Sequence, residues 1–438
     1  MHRPFPFCLL LILVVGLFSS VVACDQKNVG HGRTAVVAQP VVANARPEAV
    51  KTMPGDWPQW RGPKADGISR ETNWTADWPT EGPRQVWKAA IGTGFSSMAV
   101  VGDKLYAMGH SRGNDTVFCL NAQTGKEAWK YSYPCKLVDN LHEGGPGATP
   151  TVDEDRVYTI SKEGQLFCLD AASGDVKWKA EFQPLLEVRM PEWGFSGSAV
   201  ILGDMLIVDA GRLVAFNKLN GDVIWKTDRY RPGYGTPTLF QHDGEDLIAW
   251  LNNDALVIVR AKDGVEIDKS PWETQFVTTA CTPIVHGNAI FISTGYNRGC
   301  AVYDLKDGKL EQRYEVRTMR NHMANCVLWD GYLYGVDGNS HAASSCHVKC
   351  IDFATGAEMW KHRGLGCGTL LIAGDKLIVL SDSGELVVAP LSNAAFEPIA
   401  KAQVLEGRCW TVPVLSRGLI YCRNAEGDLV CVDVRKSV

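Results

Sequence analysis

The stretch Leu166–Lys179, LFCLDAASGDVKWK, reads as a short apolar strand, a turn at Gly174 and a second strand ending in Trp178. Apolar and polar residues alternate on both sides of a glycine, which is the pattern of two antiparallel strands joined by a turn. The stretch is not unique. It returns as VFCLNAQTGKEAWK from Val117, LVAFNKLNGDVIWK from Leu213 and VKCIDFATGAEMWK from Val348, and more weakly as LVIVRAKDGVEID from Leu256 and AVYDLKDGKLEQ from Ala301. The turn glycines, Gly125, Gly174, Gly221, Gly264, Gly308 and Gly356, recur at the spacing of about 40–50 residues that four-stranded propeller blades occupy.

Two further strands and a tight polar turn precede each copy, as in SSMAVVGDKLYAMG and CTPIVHGNAIFIST. One such sheet cannot bury its faces alone, so neighbours must stack around an axis. Inner strands near Ala99, Thr151, Ala199, Thr238, Ile284, Val327, Leu371 and Val414 predict an all-β, eight-bladed β-propeller of four-stranded antiparallel blades. The last copy, LVCVDVRKSV, stops before its outer strand. RQVWKAAI around Trp87 supplies that strand, so an N-terminal strand is expected to close the last blade and remove an exposed edge. Trp129, Trp178, Trp225 and Trp360, with Trp87 by closure, are the expected wedges between blades. Counting from the turn glycine puts Asp268 and Gln312 at that place in blades four and five.

The chain has 438 residues, 45% of them hydrophobic, enough for a large core. Its net charge of -5 and scattered acids give no basic face for nucleic acid. Residues 1–23 read as a signal peptide: His2 and Arg3, an apolar run from Phe5 to Phe18, then SSVVAC. The ending resembles a bacterial lipobox with Cys24 as the lipidated residue; plain secretion after cleavage near Ala23 is the alternative. The run is too short to span a membrane, so attachment is expected only through lipid at Cys24. Residues 24–55 read as a flexible tether and 84–438 as the propeller. Between them, residues 56–83 crowd Trp57, Trp60, Trp74 and Trp78 among prolines. These rings are expected to dock on the propeller's flank, with an exposed aromatic strip for a partner as the alternative.

The turns DFATGAEMW and NAQTGKEAW resemble the pyrroloquinoline quinone (PQQ) repeats of the quinoprotein alcohol dehydrogenase-like superfamily, over roughly residues 84–438. That resemblance implies the propeller and two kinds of function. One is a calcium- and PQQ-dependent dehydrogenase of an alcohol or sugar, in which Ca²⁺ acts as Lewis acid on the quinone. The other is a non-catalytic envelope lipoprotein; in layout, a single propeller behind a lipobox, the chain is similar to the BamB lipoproteins of outer-membrane protein assembly. The sequence has no adjacent Cys–Cys pair, as many quinone enzymes have beneath the cofactor, and no CxxCH haem motif; AASSCH has Ala343 in place of the first cysteine. The favoured reading is therefore a non-catalytic exported propeller, monomeric, on the periplasmic side of the envelope. An envelope protein or a small anionic ligand is its expected partner, and the PQQ dehydrogenase is the second reading.

Loops leading into the inner strands meet at one rim and make the expected site. They carry His142 and Glu143; Glu192 and Trp193; Arg231 and Tyr234; Arg320, His322 and Asn325; Arg363; and Arg408 and Trp410. Arginines outnumber acids there, which suits an anion. Mutual ion pairing that plugs the channel is the alternative. No residue is assigned a catalytic role.

Of 14 cysteines, Cys119, Cys168, Cys350 and Cys431 hold one place in four copies, where Ala215 and Val302 stand elsewhere, so they are expected to be apolar filler. Cys281, Cys326, Cys367 and Cys409 fall near starts of inner strands, where a pair is expected to bond or bind a soft metal only if their differing offsets allow. HAASSCHVKC looks metal-binding, but in a strand Cys346 and Cys350 stand about 13 Å apart at ~3.3 Å per residue, too far to share a zinc ion.

Overall fold

The computed structural model describes residues 53–436. The stretch read as a signal peptide, Cys24 and most of the expected tether lie outside them. Eight four-stranded antiparallel sheets follow in chain order, each strand pairing with the next outward. The opening stretch forms the outer half of blade two, whose strands run Thr151–Asp153, Arg156–Ile160, Gln165–Asp170 and Val176–Glu181 from axis to edge. In blade eight the inner three strands are Val414–Ser416, Leu419–Arg423 and Asp428–Asp433, and the outer one is Arg84–Ala90, with Arg84 opposite Asp433. The ring closes by the expected N-terminal strand.

Glycine and tryptophan join neighbouring blades. Gly174 has φ +80°, and a Cβ there would stand 2.6 Å from the Trp129 ring of blade one. Only glycine lets the turn close over that ring. In the same way Trp178 lies under Gly221 of blade three. Its indole N–H donates to the Lys218 carbonyl at 3.0 Å, as does the Tyr158 hydroxyl at 2.9 Å. Trp87, Trp129, Trp225 and Trp360 repeat the arrangement, donating to the carbonyls of Ala122, Ala171, Ala261 and Ser392. All five rings are less than a tenth exposed.

Blade four keeps Asp268 at the wedge position, opposite Ile258, where its carboxylate accepts from the Leu310 N–H of blade five. Blade five corrects the sequence expectation. Its wedge is Tyr314, opposite Val302, and Gln312 pairs with Tyr303 instead. The turn between Lys306 and Lys309 has only two residues, Asp307 and Gly308, both at positive φ. This is a tight hairpin, so counting from the glycine misses the register by two. The Tyr314 hydroxyl donates to the Phe353 carbonyl of blade six.

The Trp- and Pro-rich segment does more than dock on a flank. It crosses the face opposite the rim loops. Trp57 pairs with Val100, the Pro58 carbonyl accepts from Val152, and Ile68–Ser69 adds a short parallel strand to blade seven. Trp57 and Trp74 are buried, and Trp78 is half-buried against the same core, so they form no exposed strip. Between them the chain turns into the channel: the Trp60 indole donates to Thr282 Oγ1 at 3.0 Å, and the buried Arg61 guanidinium donates to the Cys326 carbonyl at 2.8 Å. The segment is a plug that floors the channel.

Candidate ligand-binding site

A cavity of about 280 Å³ lies above the plug. Alternation of strand direction decides what lines it. The chain runs in from the rim along the innermost strand and back along the second, so loops into the inner strands and turns between second and third strands share one rim. The first set contributes His142, Trp193, Tyr234, His322, Arg408 and Trp410. The second contributes Lys162, Tyr296 and His341, which the loop argument did not anticipate. Phe95 and Trp60 complete the aromatic wall. The signal available for Lys162, Tyr296 and His341 was the strand count itself, which fixes the side on which every turn falls.

The other candidates are elsewhere or otherwise engaged. Glu143 pairs with Arg408 at 3.0 Å. Glu192 is exposed and accepts from Asn140. Arg231 is exposed and paired with Asp254 and Glu273. Arg320 makes a two-pronged bond to buried Asp337, both arms 2.8 Å. Asn325 is buried and donates to the Thr282 carbonyl. Arg363 donates to His347. None of these six lines the cavity. Polar side chains at a rim satisfy one another first when acids are within reach, and here they do.

The remaining wall is rich in donors. Gly144 N–H donates to His142 Nδ1 and Ser340 N–H to His322 Nδ1, which places each ring's proton on Nε2. Burial pushes both imidazoles down to about 4, helped by nearby Lys162 and Arg408 for His142 and by His341 for His322. Both are neutral donors at neutral pH. Tyr296 packs edge-on against His322 and stacks on His341. Arg408 lies over Trp410 at 4.4 Å, and Trp410 stacks on Phe95. Lys162 is 5% exposed, and burial lowers its ammonium to about 8. It donates to the Trp193 carbonyl at 2.9 Å and Ser196 Oγ at 2.8 Å.

A pH dependence follows. The unfolded histidines titrate near 6.5 and the folded ones near 4, so the unfolded chain takes up their protons first. Stability from this source is complete above about pH 6.5 and is lost as pH falls towards 4. Thermal melts across that window are expected to show a falling midpoint, flattened in a His142→Gln/His322→Gln double variant. Parallel profiles for the two proteins would refute it.

The residues present do not fit a calcium–quinone centre. The cavity wall carries no Asp or Glu, and Ca²⁺ takes six to eight oxygen ligands with carboxylates prominent. Among the described residues no group of three or more His, Cys, Asp or Glu is placed to hold a metal. HAASSCHVKC is dispersed: His341 faces the cavity, His347 holds Arg363, and Cys350 sits opposite the Trp360 wedge. Cys346 Sγ donates to the Asn339 carbonyl at 3.4 Å, and the twelve described cysteines are all buried free thiols.

The family model described as outer membrane protein assembly factor BamB matches residues 69–236 and 138–362. An outer membrane protein assembly factor BamB of Shewanella oneidensis is 21% identical over 82% of this chain and 91% of its own length. Among solved structures, BamB from Moraxella catarrhalis superposes with TM-score 0.59 at 17% identity, covering 80% of this chain and 99% of its own. A quinohemoprotein alcohol dehydrogenase from Comamonas testosteroni gives TM-score 0.63 at 12% identity, over 88% of this chain and 81% of its own. Likeness at such identity shows a shared fold and does not separate assembly factor from dehydrogenase.

Proposed function

The chain belongs to the family of the outer membrane protein assembly factor BamB, and from that premise we propose that it is a non-catalytic propeller serving as a binding platform in the cell envelope. The observation that carries this reading is the composition of the axial cavity: aromatic rings and hydrogen-bond donors, with no carboxylate to serve as base or calcium ligand. The rim around it suits a protein partner. Leu141, Met190 and Phe276 stand 82%, 37% and 49% exposed on the loops leading into blades two, three and five, so the rim presents apolar groups that a partner would cover. Cys24 supplies the lipid anchor in this reading, on the periplasmic side, with residues 24–55 as the tether.

Two measurements test it. Crosslinking and capture from detergent-solubilised envelopes is expected to recover an outer-membrane assembly protein in stoichiometric amount, and Leu141→Asp/Phe276→Asp to abolish the capture. Failure to recover such a protein, or capture indifferent to the double substitution, would refute the rim as the platform. Incubation with PQQ, Ca²⁺, an artificial electron acceptor and a panel of alcohols and sugars is expected to give no substrate-dependent reduction. Turnover would make the chain a dehydrogenase.

A further inference from the structure

We propose that the axial cavity binds a monoanionic carboxylate carried on an aromatic or other flat apolar group, with Lys162 as its buried counter-ion. The inference rests on reading the cavity as a binding site rather than a reaction centre.

Charge bookkeeping within the cavity sets the class of ligand. Arg408 is neutralised by Glu143. His142 and His322 are held neutral by their surroundings. Lys162 remains. Among the described residues no carboxylate contacts it; its partners are a carbonyl and a hydroxyl, both neutral. Asp115 attracts it through space without contact, with one carboxylate oxygen bonded to His110 at 2.8 Å. A buried cation without a counter-ion is costly, and an ammonium has three donors, of which two are used. The wall therefore offers one charged donor, which suits a single carboxylate.

The rest of the wall sets the shape. Trp410 over Phe95, Tyr296 over His341 and Trp193 against Tyr234 form ring surfaces that take a flat apolar body. The His142 and His322 Nε2–H groups supply neutral donors for acceptor atoms, and the wall offers no carboxylate acceptor to match a cationic ligand. A free aromatic acid and a peptide ending in an aromatic residue present the same chemistry.

The test is calorimetric titration of the purified full-length protein with 2-naphthoate and with 2-naphthamide, its neutral counterpart. A charged hydrogen bond to Lys162 is expected to make the acid bind about tenfold or more tighter than the amide. Lys162→Met is expected to erase that preference, and Lys162→Arg to retain it. Equal affinity for acid and amide in the wild-type protein, or absence of binding by both, overturns the proposal without recourse to any variant. A preference that survives in Lys162→Met overturns the role of Lys162. A pentapeptide ending in phenylalanine, with free or amidated C-terminus, is then competed against naphthoate. Displacement by the free-ended peptide alone assigns the site to chain ends, and no displacement assigns it to free acids; displacement by the amidated peptide as well overturns the carboxylate. Partner capture is measured on the same preparation. A propeller that captures its partner but shows no acid preference loses this inference and keeps the platform reading.

Discussion

Arg423→Met is expected to destabilise the propeller by about 3–5 kcal/mol, read as a shift in urea midpoint at constant slope. Arg423 ends the second strand of blade eight and is fully buried. Its guanidinium donates to the Met108 carbonyl at 2.7 Å and to those of Ser96 and Gly92, both at 3.1 Å. All three lie in blade one or the loop leading into it, so one side chain ties the last blade to the first. Burial lowers the group to about 9, and no carboxylate offsets it. Methionine fills similar volume but leaves three buried carbonyls without that donor, each worth about 1–3 kcal/mol when unsatisfied. The relief of burying a charge returns part of the sum. Arg423→Lys keeps the charge but lacks the fork that reaches several carbonyls at once, and is expected to fall between wild type and methionine. A methionine variant within 1 kcal/mol of wild type, on the scale of about 3–5 kcal/mol argued above, would show that closure does not depend on this residue.

Trp178→Ala is expected to cost a similar amount, about 3–5 kcal/mol. The ring is 8% exposed, packs beside Tyr158 at 6.0 Å and fills the space beneath Gly221. Because Gly221 has no side chain to move into that space, the site cannot collapse, which puts the cost at the high end. Trp178→Phe keeps most of the ring and loses the bond to the Lys218 carbonyl, and is expected to cost nearer 1 kcal/mol beyond the lost area. Equal effects of alanine and phenylalanine would mean that the hydrogen bond, not the packing, joins the blades.

Local repetition made the fold readable. A strand, its turn glycine and its wedge tryptophan lie within fourteen residues, as in Leu166–Lys179, so one stretch of sequence contains the whole joint. Ring closure by Arg84–Ala90 was readable for a related reason: the missing outer strand of the last copy and the solitary strand near Trp87 are complementary. Where a turn changed length, at Asp307–Gly308, the count slipped and Tyr314 replaced Gln312.

The cavity obeys a different rule. His142, Trp193, Tyr234, His322, Arg408 and Trp410 were legible because every loop into an inner strand must reach the axis. Which rim groups remain available was not legible, since it depends on partners distant in sequence: Arg320 is taken by Asp337, and Arg231 by Asp254 and Glu273, whereas Lys162 meets only neutral groups. The plug was illegible for the same reason, its bonds running from Trp60 to Thr282 and from Arg61 to Cys326 across most of the chain. The sequence by itself determined the blades, their order and their joints, because those rest on contacts within or between successive repeats. Only the tertiary structure decided the floor, the charge and the free donors of the axial cavity, because seven of the eight blades and the N-terminal plug meet there at once.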